Sequence, residues 1–397
     1  MNLGQILELD ALACEQVKKF DKKRFLFSSL VNDTGRHFVG IVGPRGVGKT
    51  VLLRQLRLTY RDKALYVSMD SFDGDLFEFA TRCKRDLGIN ILFLDEIHFY
   101  ESFSEALKQI YDFLNIRIFF SSSVSLSIFG TSVDLCRRVI LKTLYPFSFR
   151  EYLFFVDDVQ IDPIKFEDLV EGRFDRSVLR FGRRFHDFLK GGIFPFSLDE
   201  PFGFLDILQS VVKKIIQSDI PTIADLKIDE LEKIESVLTF IGRSGVDDIS
   251  YSSISSNCGI TKYKAKQYVD LLEQAFVLQR VFPVGSNVMR EPKILMCLPY
   301  RLLYRDFADA IGALREDFFV EMMRAHNRRF FYLKSKRGRK MPDYLVPIDG
   351  KKVAVEIGGK HKRPTQFKGI KVDTKIILTD SDRIDGIYRP LFLAGME

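Results

Sequence analysis

One eight-residue stretch near the amino terminus restricts the fold of this chain more than any other feature. It runs from Gly43 to Thr50 and fits the pattern G-x-x-x-x-G-K-[ST] at every fixed position. An apolar run precedes it and a helical stretch follows it, which is the setting in which backbone N–H groups curl around phosphates. The sequence therefore predicts an α/β domain that binds a nucleoside triphosphate, with ATP as the cofactor.

Individual residues of this stretch have separate predicted roles. Glycine is expected at positions 46 and 48 because a side chain there would intrude on the phosphates. Lys49 is expected to reach the β and γ phosphates and to act in catalysis, and the Thr50 hydroxyl is expected to bind Mg²⁺. The amino terminus of the following helix adds partial positive charge beneath the phosphates. The predicted nucleotide-binding residues are Gly43, Pro44, Arg45, Gly46, Val47, Gly48, Lys49, Thr50 and Val51.

A pair of acids downstream supplies the second half of the predicted site. Residues 91–96 read Ile-Leu-Phe-Leu-Asp-Glu, an apolar strand that ends in Asp95 and Glu96. Strands of a parallel sheet present their carboxyl ends to the ligand, so both acids are expected beside the phosphates. Asp95 is predicted to hold Mg²⁺ through water, and Glu96 to orient or deprotonate the attacking water. His98 is predicted to neighbour this site without taking part in the reaction.

Two further residues are candidates for the hydrolysis step. The next predicted strand ends in three serines, and Ser122 among them is predicted to sense the γ-phosphate. Arg138 is predicted to act as an arginine finger on a neighbouring subunit, which would require a homo-oligomer. A plain surface role remains open for both residues, since serine triplets are common in loops and an arginine before a strand is commonly exposed.

Short apolar runs alternate with helical stretches through the first 150 residues. This alternation is typical of a parallel sheet covered by helices. Each run is compact and nearly free of charge, as expected of strands buried on both faces. Residues 1–150 are therefore predicted to form the ATPase core, with residues 1–30 as an amino-terminal helical segment. The predicted strands are residues 37–42, 64–69, 90–94, 116–120 and 139–144.

The pattern after the core predicts a helical lid and then a helix-turn-helix. Residues 151–225 are mainly helical, and residues 226–290 contain a short helix, a glycine turn, a second helix and an extended segment. That order is typical of a winged helix-turn-helix. Contact with DNA and packing between domains are both open interpretations of this module. In its second helix one stripe is predicted to be buried, formed by Ala265, Tyr268, Val269 and Leu272, with Thr261 as the N-cap.

Residues 291–397 return to α/β character and carry most of the positive charge. From Arg324 to Lys375 there are sixteen Lys or Arg against four Asp or Glu, a local excess of +12, whereas the whole chain carries +7. Basicity confined to one segment indicates a polyanionic partner, and DNA is the predicted one. A solvated basic face without a partner is the alternative.

Other features exclude several classes of protein. No run of about 18 apolar residues is present, so no membrane span is expected. The opening residues lack the pattern of a secretory signal, and a cytoplasmic location is therefore expected. The five cysteines have no paired spacing, which argues against a zinc site and a disulfide framework.

Together with these motifs, several short segments resemble a family of prokaryotic AAA+ type ATPases whose carboxy-terminal part is similar to a restriction-endonuclease, or PD-(D/E)XK, fold. The resemblance implies an AAA+ P-loop core with a helical lid, a winged helix and a nuclease-like domain at residues 291–397. The matching segments are Leu144–Tyr152, Gly191 and Gly192 before Pro195, Ser218–Pro221, Ile249–Ser252 and Gly312–Glu316.

The same resemblance implies a possible nuclease site. In such folds a helix acid, a Pro-Asp and an acid-x-Lys converge on Mg²⁺ and the scissile phosphate, and the corresponding residues here are Glu316, Asp343 and Glu356. The lysine is displaced, because Lys360 comes two places later than the pattern requires. Two interpretations of the domain stay open: a nuclease that uses Lys360, and a basic binding module with a decayed site. A signalling switch that binds a protein partner through an inactive domain is the rival for the whole protein.

Overall fold

The structure is a computed structural model that describes residues 3–125, 135, 137–200, 202–285, 291–333 and 341–397. The chain divides into two units. The first comprises residues 1–146 and 217–225, and the second comprises residues 147–216 and 226–397. The segment 217–225, placed in the lid by the sequence, therefore belongs to the unit that contains the phosphate loop.

A five-stranded parallel sheet forms the centre of the first unit, as predicted. The strand order is β2-β3-β4-β1-β5, and every neighbouring pair is parallel. All five residues of β1 are buried, so the strand that leads into the phosphate loop is enclosed by the sheet and its helices. The strands are β1 Phe38–Val42, β2 Ala64–Ser68, β3 Ile91–Asp95, β4 Arg117–Ser122 and β5 Val139–Thr143.

Helices cover this sheet, and the first of them is tied to the sheet and to a neighbouring helix by a buried carboxylate. Asp10 of the first helix accepts two hydrogen bonds from the Arg57 guanidinium, of 2.9 and 2.7 Å. Its carboxylate also accepts a 2.8 Å hydrogen bond from the backbone N–H of Tyr66. Three bonds satisfy this buried charge, which ties the first helix to β2 and to the helix after the phosphate loop. The helices are α1 Leu3–Val17, α2 Leu26–Val31, α3 Lys49–Thr59, α4 Leu76–Leu87 and α5 Phe103–Phe113.

Aromatic packing holds the helical part of the second unit together. The chain has 37 phenylalanines and no tryptophan, and phenylalanine rings supply much of this core. Phe149 contacts Phe185, Phe188 and Phe392 with ring centroids 5.4 to 5.7 Å apart, and Phe318 lies 4.9 Å from Phe185. The helices of this part are α6 Phe149–Asp157, α7 Phe166–Glu171, α8 Phe185–Asp187, α9 Phe196–Asp199 and α10 Phe204–Lys214.

A helix-turn-helix followed by a β-hairpin comes next. The Thr261 hydroxyl accepts a 3.2 Å hydrogen bond from the backbone N–H of Lys264, so Thr261 is the N-cap that was predicted. The predicted stripe of the second helix is buried throughout. Gly259 ends the preceding helix with a φ of 61°, a left-handed conformation that glycine adopts without strain. The elements are α11 Ile228–Arg243, α12 Tyr251–Cys258, α13 Lys262–Gln274 and the antiparallel strands β6 Leu278–Val281 and β7 Lys293–Met296.

A long helix and a mixed five-stranded sheet complete the second unit. Strands β8, β9 and β10 are antiparallel neighbours, whereas β11 and β12 run parallel to β10. Arg301, which precedes the helix, and Asp317, in its middle, are both fully buried and form a bidentate ion pair of 2.7 and 3.1 Å. The elements are α14 Phe307–Ala325, β8 Phe331–Tyr332, β9 Tyr344–Ile348, β10 Lys351–Gly358, β11 Thr374–Thr379 and β12 Tyr388–Pro390.

None of the helices in the described part of the chain combines the length and the apolar character needed to cross a bilayer.

Candidate nucleotide-binding site

The loop between β1 and α3 has the backbone shape of a phosphate cradle. Gly46 and Gly48 adopt φ angles of 87° and 90°, which residues with a side chain rarely reach. At Gly43 a Cβ atom would lie 2.2 Å from the Leu144 carbonyl oxygen, so only glycine fits this approach to the end of β5. The loop ends at the amino terminus of α3, where unpaired N–H groups and the helix dipole favour an anion.

Two basic side chains donate hydrogen bonds to carbonyl oxygens of the loop, Lys49 from within the motif and Arg24 from outside it. The Lys49 ammonium donates hydrogen bonds to the carbonyls of Gly43 (2.9 Å) and Pro44 (3.0 Å). Burial lowers the pKa of Lys49, and the nearby Arg45 charge lowers it further, while Glu96 opposes both effects. Arg24, which the sequence did not suggest, donates to the Val47 carbonyl and to the Tyr145 carbonyl at 2.7 Å. Arg24 therefore supports the loop from outside the motif.

Asp95 lies at the end of β3, and each of its carboxylate oxygens accepts a hydrogen bond from a hydroxyl. The Tyr66 hydroxyl donates to Oδ2 at 2.7 Å, and the Ser121 hydroxyl donates to Oδ1. Asp95 is 3% exposed, so these two donors fix a buried carboxylate in one direction. Burial and the charge of Asp95 raise the pKa of Tyr66, which keeps that hydroxyl protonated as a donor.

Glu96 follows in a strained backbone conformation. Its φ and ψ of 55° and 49° are left-handed, which is uncommon for a residue with a side chain. The Ser121 hydroxyl accepts a 2.9 Å hydrogen bond from the Glu96 N–H. The Glu96 carboxylate lies 3.6 Å from the Arg45 guanidinium and 3.4 Å from the His98 ring. Strain of this kind persists only where neighbouring structure enforces it, and it commonly marks functional residues.

Two serines of the triplet donate hydrogen bonds to two different carboxylates. Ser121 lies within β4, and Ser123 follows the last residue of that strand. Ser121 contacts Asp95, whereas the Ser123 hydroxyl donates to Asp219 Oδ2 at 3.0 Å. Ser122, which was predicted to sense the γ-phosphate, donates to the Val124 carbonyl at 2.9 Å and lies 3.3 Å from His98. The serine that bonds to the predicted magnesium ligand is thus Ser121.

Arg138 lies at the other end of the sheet from the phosphate loop. Its carbonyl accepts a 2.7 Å hydrogen bond from the N–H of Phe38, the first residue of β1, whereas the loop follows the last residue of β1. Its guanidinium forms a bidentate pair with Asp112, at 2.9 and 2.7 Å. Within its own chain Arg138 is therefore remote from the loop, and its action on a second subunit stays a prediction.

The residues present fit a nucleoside triphosphate with Mg²⁺. The glycine cradle, the start of α3 and the buried Lys49 provide the groups that bind phosphates. Thr50 and Asp95 supply the hard oxygen donors that Mg²⁺ prefers, and Asp95 is held in place by the two hydroxyls that bond to it. The site therefore has a complete set of groups for binding ATP with its metal.

Two family profiles match parts of the chain. The AAA domain family matches residues 35–153, and a domain of unknown function, DUF8612, matches residues 183–297. The first match contains the phosphate loop, both acids and the serine triplet. This part of the chain has a P-loop fold of AAA type. The second match spans part of the predicted lid and the predicted winged helix, and its description assigns no activity.

Similar proteins were found at low identity. The uncharacterized protein MJ1637 of Methanocaldococcus jannaschii is 26% identical over 418 residues, which cover 93% of this chain and 88% of that protein. Among solved structures, the Thermotoga maritima RuvB Holliday junction branch migration motor is 17% identical, covering 70% of this chain and 90% of that chain, with a TM-score of 0.25. AMPPCP-bound DnaA from Aquifex aeolicus is 18% identical, covering 66% and 87%, also with a TM-score of 0.25. At TM-scores of 0.25, neither likeness indicates a function for this chain.

The carboxy-terminal candidate residues lie close together, and two of their carboxylates, those of Glu316 and Glu356, form ion pairs with lysines. Glu356 is 1% exposed and pairs with Lys362, whose Nζ lies 2.5 Å from Oε1. Lys360 is exposed, and the lysine that pairs with Glu356 is Lys362, so a role for Lys360 in cleavage stays a prediction. The turn after β10 explains this pairing, because Lys362 folds back over Gly358, where a Cβ atom would meet its side chain at 2.5 Å.

A second lysine occupies the other side of this cluster. The Nζ of Lys293, from β7, lies 2.6 Å from Glu316 and 3.0 Å from Asp247. Asp343 accepts a 2.7 Å hydrogen bond from the N–H of Ile357. Burial and the charge of Glu316 raise the pKa of Asp343 well above its usual range. Among the described residues, no group of three or more His, Cys, Asp or Glu is arranged to hold a metal ion.

Proposed function

We propose that this protein is an ATP-hydrolysing AAA+ protein that acts on DNA through its second unit. The observation that carries the proposal is the joint presence of the phosphate cradle after β1 and of two oriented acids at the end of β3. A loop that only bound an anion would need no buried Asp95 held by two hydroxyls, and no Glu96 in a strained conformation. Those features are expected where a metal and a water must be positioned.

The chain's own residues supply each part of the hydrolysis step. The loop N–H groups and Lys49 bind the phosphates and balance the charge that develops on them. Thr50 and Asp95 would hold Mg²⁺, which supplies charge neutralisation at the phosphates. Glu96 accepts a proton from, or orients, the attacking water. Asp95 is buried, and the lower dielectric around it strengthens its interactions with charged groups.

The helix-turn-helix supports the assignment to DNA. The buried stripe of α13 leaves Lys262, Tyr263 and Lys266 exposed at the amino-terminal part of the helix, and Tyr263 is 75% exposed. In winged helix-turn-helix modules the first residues of the second helix contact base edges in the major groove. An exposed aromatic ring between two lysines suits this role better than it suits a plain solvated face.

The basic segment after β10 supplies a second contact with phosphates. Residues 360–371 contain Lys360, Lys362, Arg363, Lys368 and Lys371 and no Asp or Glu. All of these except Lys362 are exposed. Charges of one sign on an exposed segment attract a polyanion independently of its sequence. We therefore expect this segment to strengthen binding without selecting a DNA sequence.

The decisive experiment measures ATP hydrolysis by the native chain and by Lys49→Ala, each with and without duplex DNA. We expect hydrolysis by the native chain, stimulation by DNA, and loss of at least about 100-fold in Lys49→Ala. DNA affinity should fall about 10³-fold or more between 50 and 200 mM salt if six or more phosphates are neutralised. Hydrolysis that DNA leaves unchanged, together with affinity that salt leaves unchanged, would refute the DNA assignment.

A matched pair of variants tests the proposed DNA-binding helix. Lys266→Glu reverses an exposed charge on α13, and Lys213→Glu does the same on α10. We expect Lys266→Glu to weaken DNA binding by about tenfold or more, since each neutralised phosphate contributes to the affinity. Lys213→Glu should have a much smaller effect. Equal losses in the two variants would show that only overall charge matters.

DNA cleavage is a second candidate function, favoured by the pairing of Glu356 with Lys362. An acid with a lysine beside it, next to Asp343, is the combination that activates a nucleophile at a phosphodiester in nuclease-like folds. A cavity of about 650 Å³ leads to this cluster and is lined by Ser250, Lys293 and Asp343 among others. The position of Lys293 argues against cleavage. Its ammonium pairs with the Glu316 carboxylate, which a metal ion would need as a ligand.

Supercoiled plasmid with Mg²⁺ or Mn²⁺ separates the two roles of this domain. Cleavage predicts nicking by the native chain that is absent in Glu356→Ala and Lys362→Ala and is retained in Lys360→Ala. A binding module predicts plasmid retardation without nicking in all four proteins. Nicking that persists in Glu356→Ala would mean that the activity arises elsewhere.

A further inference from the structure

Asp219 is a buried carboxylate at the ATP site that neither nucleotide-binding motif includes. It lies 174 positions from Arg45 in the sequence and belongs to residues 217–225, the segment that completes the first unit. Its side chain is 0% exposed. A fully buried charge is tolerated only where specific partners compensate it, so the partners of Asp219 indicate what it does.

Arg45 of the phosphate loop is the main partner of Asp219. The guanidinium donates Nε to Oδ2 at 2.8 Å and Nη2 to Oδ1 at 2.5 Å, which is the bidentate geometry that fixes an arginine in one orientation. Ser123 donates to Oδ2 at 3.0 Å, and His98 lies 3.9 Å from Oδ1. Although burial alone would raise it, His98 and Arg45 lower the pKa of Asp219 to about 2, so the carboxylate stays charged.

The arginine that Asp219 holds also faces Glu96. Nη1 of Arg45, which Asp219 does not bind, lies 3.6 Å from Oε1 of Glu96, too far for a hydrogen bond. The Arg45 guanidinium thus lies near two carboxylates but hydrogen-bonds only to that of Asp219. If Asp219 lost its charge, Arg45 would be released from its bidentate pair, and Glu96 would be the nearest remaining carboxylate.

We propose that Asp219 is a positioning residue for ATP hydrolysis, which holds the Arg45 guanidinium 3.6 Å from Glu96 and so keeps it from hydrogen-bonding to that carboxylate. The inference rests on the proposed role of Glu96 toward the attacking water. A direct hydrogen bond from Arg45 would turn the Glu96 carboxylate toward the guanidinium and occupy its oxygens, which would draw Glu96 away from the water. Asp219 acts through Arg45 and need not touch ATP.

This arrangement predicts a specific pattern of kinetic effects. Asp219→Asn releases Arg45 and should lower kcat by about 10- to 100-fold, since misplacing a reacting group by about 1 Å costs rates of that order. The KM for ATP should change by less than about threefold, because the loop glycines and Lys49 are untouched. Arg45→Gln removes the competing charge, so Arg45→Gln/Asp219→Asn should recover most of the lost activity.

The test measures kcat, KM and melting temperature for the native chain, for each single variant and for the double variant. Asp225→Asn is the matched control, because Asp225 is an exposed acid in the same segment and should leave all three quantities unchanged. Asp219→Ser, which is smaller and also uncharged, gives the same comparison if Asp219→Asn does not fold. Binding of a fluorescent ATP analogue is measured in parallel to confirm that each variant still binds nucleotide.

Three results would overturn the inference while leaving the ATPase assignment intact. The first is a kcat within about threefold of native in a folded Asp219→Asn. The second is a loss confined to KM. The third is a double variant no more active than Asp219→Asn, which would mean independent structural losses. Absence of hydrolysis by the native chain itself would instead refute the proposed function, and the inference with it.

Discussion

Replacing Glu96 by glutamine separates the binding of ATP from its hydrolysis. Glutamine has the same size and shape, so the left-handed backbone at this position and the hydrogen bond from the Glu96 N–H to Ser121 are retained. Only the charge and the ability to accept a proton are lost. Because Asp95, Thr50 and Lys49 are unchanged, the groups that bind phosphate and metal remain complete.

The expected size of the effect follows from these contacts. A positioned general base contributes about 10²- to 10⁴-fold to a rate, which corresponds to about 3 to 5 kcal/mol of activation free energy. The Glu96 carboxylate lies at ion-pair distances of 3.6 and 3.4 Å from Arg45 and His98. Oε2 of Glu96 has no hydrogen-bond partner and its Oε1 is beyond hydrogen-bond length from Arg45, so the free energy of unfolding should change by about 1 kcal/mol or less.

Steady-state hydrolysis and nucleotide binding are measured on the same preparation. We expect Glu96→Gln to hydrolyse ATP at least 100-fold more slowly, to bind ATP within about threefold of native, and to gain melting temperature on addition of ATP with Mg²⁺. Glu101→Gln is the control, because Glu101 is an exposed acid a few residues away and should behave as native. Hydrolysis by Glu96→Gln within about fivefold of native would refute the role assigned to Glu96.

Three further predictions concern the second unit. Asp317→Ala leaves Arg301 buried without its carboxylate partner, so the free energy of unfolding measured in urea titrations should fall by about 3 to 5 kcal/mol. Asp309 is exposed in the same helix, and Asp309→Ala should lower the free energy of unfolding by about 1 kcal/mol or less. Burial raises the pKa of Glu321 from 4.5 to about 8, so its contribution to stability is complete below about pH 4.5 and is lost as the pH rises through 8. Glu321→Gln should therefore flatten the decline in melting temperature between pH 5 and 9, and an unchanged decline would contradict this. If the native chain nicks plasmid, Lys362→Ala should abolish nicking and Lys360→Ala should not, and the reverse would favour the alignment expected from sequence.

The nucleotide site was largely predictable because its motifs are local. The glycines, Lys49 and Thr50 lie within one loop, and Asp95 and Glu96 lie at the end of one strand, so spacing and strand direction suffice to bring them together. The five parallel strands were predicted to within two residues at each end for the same reason, since each is a compact apolar run. Local pattern therefore predicted the central sheet and the side chains that meet at the carboxyl ends of its strands.

The residues that were missed are those brought in by tertiary contacts. Asp219 reaches Arg45 from 174 positions away, and Arg24 reaches the loop from a segment with no recognisable pattern. The pairing of Lys362 with Glu356 was not predicted, because counting along a strand cannot anticipate the turn that folds Lys362 over Gly358. Lys293 could not be foreseen either, since nothing in the sequence places β7 beside Glu316.

Calorimetric titration of the native chain with ATP in the presence of Mg²⁺ tests the central claim most directly. We predict saturable binding with one ATP per chain, dependence on Mg²⁺, and a loss of affinity of at least about tenfold in Lys49→Ala, since a charge-assisted contact to phosphate contributes about 1.5 to 3 kcal/mol. No heat of binding in the native chain, or equal affinity in Lys49→Ala, would contradict the assignment of this loop as an ATP site.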